Sequence, residues 1–109
     1  MPADRHANLE KVRQQLCDSS ETSLRLATLA EQCQLSPYQL LRQFRQQYGI
    51  TPHAYWSQHR LQMARRLLRG DAPLADIAQQ CGFADQSHLT RAFKRQFGLP
   101  PGRYRHPGR

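Results

Sequence analysis

Arg42 and Arg91 lie 49 residues apart in two stretches of similar sequence, each among side chains that suit a polyanion. A guanidinium is a planar fork of donors that matches phosphate oxygens or the O6 and N7 edge of guanine. Around Arg42 stand Tyr38, Gln39, Arg45 and Gln46; around Arg91 stand Gln86, Ser87, His88, Lys94 and Arg95. Glutamine can meet adenine N6 and N7 in the same bidentate way. Neither set contains a carboxylate. Early Gln, Ser, His and Arg residues of a helix suit base edges, and the later Arg45, Lys94 and Arg95 suit phosphates. A merely solvated helix face is the plain alternative. The recurrence of Arg at equivalent, acid-free places weighs against it.

Other chemistries find less support. The three Cys residues include no CxxC pair, and Cys33 and Cys81 fall at apolar-facing helix positions, as small buried hydrophobes do. Cys17 ends the first helix, which leaves an exposed thiol open there. The five His residues are scattered, without Cys or carboxylate neighbours at ligand spacing, so no metal is expected. No Gly-rich phosphate loop or nucleophile triad is present, and neither an enzyme nor a cofactor is expected. Most aromatic residues fall on core stripes, which argues against a single-strand stacking platform, with Tyr38 as the exception.

The elements that must position these residues occur twice. At an offset of 48, Leu26, Ala27, Ala30, Gln32 and Cys33 recur as Leu74, Ala75, Ala78, Gln80 and Cys81. At an offset of 49, Leu40, Arg42, Phe44, Gln47, Gly49, Pro52 and Tyr55 recur as Leu89, Arg91, Phe93, Gln96, Gly98, Pro101 and Tyr104. The single inserted residue falls at the turn, where insertions are best tolerated. Each copy reads as helix, tight turn, helix. In the first, Leu26, Leu29, Ala30 and Cys33 share a face, Ser36 caps the second helix, Pro37 starts it and Gly49 stops it. Leu40, Phe44 and Tyr48 form its buried stripe. The second copy uses Leu74, Ile77, Ala78 and Cys81, a turn at Gly82, Asp85 as cap, the stripe Leu89, Phe93 and Phe97, and Gly98 as stop.

The remainder connects and buttresses. Leu9, Val12 and Leu16 predict an amphipathic N-terminal helix ending before Asp18-Ser19-Ser20. Thr51 and Pro52 start a helix running to about Arg69, with Gly70 as its stop and Trp56, Leu61, Ala64, Leu67 and Leu68 on its packing side. On this helix Arg60, Arg65, Arg66 and Arg69 are candidates for lining a nucleic-acid backbone, with Arg60 and Arg66 favoured. Leu99-Pro100-Pro101 opens a last short turn carrying Tyr104, followed by a frayed tail to Arg109. No segment alternates as a strand does. The expected fold is all-α, with about seven helices: an N-terminal helix and lead-in over 1–22, helix-turn-helix units over 23–50 and 71–99, a linker helix over 51–70, and a short helix and tail over 100–109.

Composition sets the outer bounds. With 109 residues, 16 Lys plus Arg against 8 Asp plus Glu and a net charge of +8, the chain is sized for one domain or two small subdomains. An apolar share of 39% supports a modest core. No apolar run approaches the ~20 residues of a membrane span, and no signal peptide opens the chain, so a cytosolic protein is expected. Residues 1–54 carry six cations and five anions, and residues 55–109 carry ten and three, so the net charges are +1 and +7. Only Lys11 and Lys94 among the cations are Lys.

The segment from Leu24 to Tyr104 resembles the DNA-binding domain of the AraC/XylS family of bacterial transcription regulators. Its most specific part is IAQQCGFADQSHLTRAFKRQFGLPPGRYR, Ile77 to Arg105. LATLAEQCQLSPYQLLRQFRQQYGITP and the following Arg60, Leu61, Ala64, Leu67 and Leu68 also fit the pattern. The resemblance implies two subdomains on a linker helix, with recognition helices in successive major-groove segments of promoter DNA. An 18-residue helix spans about 27 Å and a DNA turn ~34 Å, so one monomer suffices for two half-sites. Base contacts carried over by the resemblance fall on Tyr38, Leu41 and Arg42, and on Gln86, Ser87, His88 and Arg91. Leu41 departs from the polar residue frequent there, which leaves a thymine-methyl contact open. Gln34 stands where a turn Gly is frequent.

The resemblance further implies activation through RNA polymerase, with repression as a secondary mode, in the cytoplasm at the nucleoid. Most members fuse this module to an effector-binding and dimerisation domain, no such domain is expected within these 109 residues, and ADQSHLTRAFKRQFG is worded like those members. The chain therefore reads as a short autonomous regulator or an isolated DNA-binding portion. Two other classes stand beside this one: a protein–protein module on the same scaffold, and a fragment of a DNA-repair methyl-acceptor protein. The absence of a clustered Cys site speaks against the last.

Overall fold

The computed structural model describes residues 2–18 and 25–108, with side chains from Asn8 onward. The expected break at Ser19-Ser20, the boundary between 22 and 23 and the terminal Arg109 lie outside the described residues. Seven helices and no strand occur among the described residues: α1 Pro2–Asp18, α2 Leu26–Gln32, α3 Pro37–Tyr48, α4 Pro52–Leu67, α5 Leu74–Gln80, α6 Gln86–Phe97 and α7 Pro101–Arg105. They fall into two compact units, with described residues 2–18 and 25–56 in the first and 57–108 in the second.

In the first unit the two helices of the repeat are joined by a Schellman turn. Leu35 N–H donates to the Ala30 carbonyl at 2.9 Å and Gln34 N–H to the Glu31 carbonyl at 3.1 Å. These bonds satisfy carbonyls that the helix end leaves open, and they require a left-handed residue between them. Gln34 supplies it at φ +57°, although it carries a Cβ. Ser36 then caps α3, and Gln39 reciprocates: Gln39 N–H donates to Ser36 Oγ at 3.1 Å and Ser36 N–H to Gln39 Oε1 at 2.9 Å. Gly49, at φ +84°, ends α3.

The apolar stripe of α3 closes the unit. Leu40 and Phe44 are fully buried with Leu29, Ala30 and Cys33 of α2 and with Leu9, Val12 and Leu16 of α1. Phe44 packs at 4.5 Å against the Tyr48 ring and edge-on at 5.8 Å against Tyr55. Both phenols are tied to α1. Tyr48 donates to Glu10 Oε2 at 3.0 Å, and Arg13 donates through Nη1 to the Tyr55 hydroxyl at 3.1 Å while pairing with Glu10. The Cys33 thiol donates to the Asn8 carbonyl at 3.7 Å. The N-terminal helix is thus part of the first unit's packing. It runs through Asp18, slightly past its expected end.

The second unit repeats the plan. Phe83 N–H donates to the Ala78 carbonyl at 2.9 Å and Gly82 N–H to the Gln79 carbonyl at 3.1 Å, with Gly82 at φ +82°. Asp85 caps α6 by accepting from His88 N–H at 2.8 Å, and Gly98 ends it at φ +87°. Phe93 stacks at 4.5 Å on Phe97 and edge-on at 5.5 Å against Tyr104, copying the aromatic trio of the first unit. Here the neighbours are cations: the Arg65 guanidinium lies 5.4 Å from the Phe97 ring centre. Arg105 donates to the carbonyls of Leu68 at 3.2 Å and Ala72 at 2.7 Å, satisfying the chain where α4 has ended.

One expected stop differs. Gly70 is not left-handed; α4 ends at Leu67, and the chain tightens through three-residue turns, Arg69 N–H to the Arg66 carbonyl and Gly70 N–H to the Leu67 carbonyl. The Arg105 side chain then takes over part of the capping work, so no left-handed glycine is needed.

Candidate nucleic-acid interface

Burying Leu40 and Phe44 on one side of α3 leaves the opposite side to solvent, because side chains advance ~100° per residue. Tyr38, Gln39, Arg42, Arg45 and Gln46 are exposed there, Tyr38 at 72% of its free area. Leu41 is half-buried at the edge. Tyr38, Leu41, Arg42, Arg45, Gln46 and Thr51 line an open cleft of about 440 Å³. Its lining is mostly hydrocarbon and includes two arginines, a chemistry that suits an apolar ring or methyl beside anionic oxygens.

Gln39 has a different task. Its Oε1 accepts from Ser36 N–H in the capping box, so the side chain does not present the free donor–acceptor pair that adenine readout requires. The signal for this was in the sequence, as Ser36 followed three residues later by Gln39. On this first helix the geometry brings together Tyr38, Leu41, Arg42 and Arg45.

In α6 the corresponding face exposes Gln86, Ser87, Arg91, Lys94 and Arg95. His88 is half-buried, its ring 5.8 Å from Phe83 at the turn. The fixed cap at Asp85 sets the direction in which the first turn of α6 projects Gln86 and Ser87. Neither α3 nor α6 carries an acidic residue.

The cations of α4 divide by environment. Arg66 and Arg69 are exposed, and Arg65 is half-buried on Phe97. Arg60 corrects the expectation of a phosphate ligand: it is only 7% exposed, and its Nη1 lies 3.9 Å from Met63 Sδ. A guanidinium held this way is not displayed to a polyanion. The helical spacing that puts Arg60 on the packing side with Ala64 accounts for its burial. Two residues, an arginine and a histidine, were missed by the sequence reading. Arg103 and His106 of the α7 region line a second open cleft with Gln86 and Thr90. At the repeat offset they replace Ala54 and Ser57, the one sequence signal that marked them.

Burial pushes the Cys33 thiol up, and likewise Cys81 against the opposing pull of Arg60 and Arg66, so both stay protonated and unreactive at neutral pH. Among the described residues no group of three His, Cys, Asp or Glu could hold a metal ion. No described helix is long and apolar enough to cross a membrane.

A family model described as a helix-turn-helix domain matches residues 29–106. Over 74 residues the chain is 46% identical to the HTH-type transcriptional activator RhaS of Escherichia coli O139:H28 (strain E24377A / ETEC), which covers 67% of this chain and 27% of RhaS. It therefore spans about a quarter of the length of that curated relative. The C-terminal domain of AraT, a response regulator from Geobacillus stearothermophilus, superposes with a TM-score of 0.82 at 29% identity, covering 92% of this chain and 84% of that one. The DNA-binding domain of AdpA, a global transcriptional factor solved in complex with a target DNA, gives a TM-score of 0.76 at 27% identity over 94% and 90% of the two chains. With the doubled helix-turn-helix, its Schellman turns and its acid-free second helices in place, the chain belongs to the AraC family of helix-turn-helix DNA-binding domains.

Proposed function

We propose that this chain is a sequence-specific double-stranded DNA-binding module of a transcription regulator, with α3 and α6 entering successive major-groove segments of a promoter. The observation that carries this reading is the paired display of Arg42 and Arg91 on exposed, carboxylate-free faces of two equivalent helices. In this reading residues 23–50 and 71–99 are the two reading modules. Tyr38, Leu41 and Arg42 read bases in one half-site, and Gln86, Ser87 and Arg91 read the other, with His88 at the edge of the face. Arg45, Arg66, Lys94 and Arg95 hold phosphates. Family membership supports the same reading, as does the name of RhaS as an activator. Activation through RNA polymerase, work in the cytoplasm at the nucleoid, and fusion to an effector-binding domain in a longer protein belong to the same proposal.

Selection of bound sequences from a random duplex pool tests it. The expected product is a site of two half-sites about one helical turn apart. Arg42→Ala and Arg91→Ala are each expected to weaken the selected site by ~1–3 kcal/mol while random DNA loses less. Equal losses on selected and random DNA would exclude base readout by that residue. A chain that retains no duplex DNA and binds a protein independently of salt would replace the proposal with a protein–protein module.

A further inference from the structure

We infer that Arg103 and His106 form a backbone-phosphate clamp beside the second recognition helix, a DNA contact that the first unit lacks. This rests on the DNA-binding reading above. An open cleft of about 460 Å³ is lined by Gln86 and Thr90 of α6, by Leu74 of α5, and by Pro100, Pro101, Gly102, Arg103 and His106 in and around α7. Arg103 and His106 are exposed, and no carboxylate lines the cleft.

The placement on α6 decides what this cleft meets. Gln86 is the first residue of the helix, and Thr90 lies one turn further along the same flank, with Lys94 continuing the row. That flank lies between the buried stripe of Leu89 and Phe93 and the outward Arg91. When the outward face of a recognition helix meets base edges, its flanks face the sugar–phosphate walls of the groove. The cleft therefore opens toward one wall, and the chemistry that fits its rim is an anionic phosphodiester. A guanidinium and an imidazole supply donors for it, with the Thr90 hydroxyl beside them.

The repeat makes the assignment specific to the second unit. Arg103 and His106 correspond to Ala54 and Ser57, neither of which carries a cation. The open cleft of the first unit shares with that of the second only the positions of Leu41 and Thr51, equivalent to Thr90 and Pro100; its other lining residues, Tyr38, Arg42, Arg45 and Gln46, all belong to the recognition helix. The second unit thus has phosphate donors on a helix separate from the one that reads bases.

The test is fluorescence anisotropy of the full chain with its selected duplex and with a random duplex, across salt concentrations. Arg103→Gln is expected to weaken both duplexes by the same factor and to lower the salt slope by about 1. Arg103→Lys, which keeps the charge, is expected to retain the slope. Neutral methylphosphonates placed one at a time then locate the contact: the phosphate whose neutralisation weakens the parent should be silent in Arg103→Gln. An unchanged salt slope, or a loss confined to the selected sequence, would overturn the clamp. Failure of the parent chain to bind either duplex would overturn the DNA reading itself, a distinct result. Circular dichroism of each variant separates these outcomes from unfolding, and a variant that unfolds is replaced in the comparison by His106→Gln, expected to weaken both duplexes equally.

Discussion

The two units are one design executed twice with different supports. Each joins its short first helix to its recognition helix through the same pair of turn hydrogen bonds, 2.9 and 3.1 Å in both. Each closes on an aromatic trio, Phe44, Tyr48 and Tyr55 or Phe93, Phe97 and Tyr104, with the first two rings 4.5 Å apart in both. The differences lie around this shared centre. The first unit carries two phenols that bind Glu10 and Arg13 of an extra helix, whereas the second replaces Tyr48 by Phe97 and covers that ring with Arg65. Most repeated residues set backbone direction or fill the core, and Arg42 and Arg91 are the repeated cations of the exposed faces. The substituted ones choose what buttresses the core and what the surface offers to DNA.

The largest expected effect tests whether the shared centre is equivalent. Phe44 and Phe93 are both fully buried. Phe44→Ala and Phe93→Ala should each cost about 3–5 kcal/mol in denaturant unfolding, from lost burial plus the cavity left behind. A clearly smaller cost for Phe44→Ala would mean that α1 relaxes into the space and that the supports, rather than the centre, hold the first unit.

The turns sharpen the comparison at a smaller scale. A side chain in the left-handed region is strained by about 1–2 kcal/mol, partly offset in glycine by its larger loss of chain freedom. Gln34→Gly should therefore stabilise the chain by about 0.5–1 kcal/mol, and Gly82→Gln should destabilise it by about the same amount. Opposite signs in the unfolding midpoints are expected; the same sign in both variants would break the equivalence of the two turns.

The smallest effect concerns the buttress found in the first unit. Hydrogen bonds from Arg13 and then Tyr48 hold the Glu10 carboxyl below the usual carboxylate range. A folded-state pKa below the unfolded value contributes stability above about pH 4.3, and that stability is lost as pH falls through the folded value. Glu10→Gln should lower the melting temperature slightly at neutral pH, with the gap from the parent closing in acid. A gap that persists below pH 3 would assign the effect to packing instead. The effect is small because both side chains of the pair face water.

Much of this was legible along the chain. The helix starts at Ser36-Pro37 and Asp85, the stops at Gly49 and Gly98, and the buried stripes are local chemistry: caps, left-handed glycines and spacing act within a few residues. Arg42 and Arg91 were legible for the same reason, because a buried stripe dictates the opposite face. Gln39 fits a cap and a base reader equally along the chain, since a glutamine has the same donors and acceptor for either task.

What the sequence determined by itself was the doubled helix-turn-helix and the sign and side of its charge. Those depend on short-range periodicity and on a repeat visible as text. Tertiary structure alone decided which arginines and histidines remain available. Arg60 is buried, Arg65 lies on Phe97 and Arg105 serves the open carbonyls after α4, whereas Arg103 and His106 face a cleft beside α6. Helical spacing fixes which side of its own helix a charge takes, but what that side meets is set by elements packed from elsewhere, so the availability of each arginine depends on residues far away in the chain.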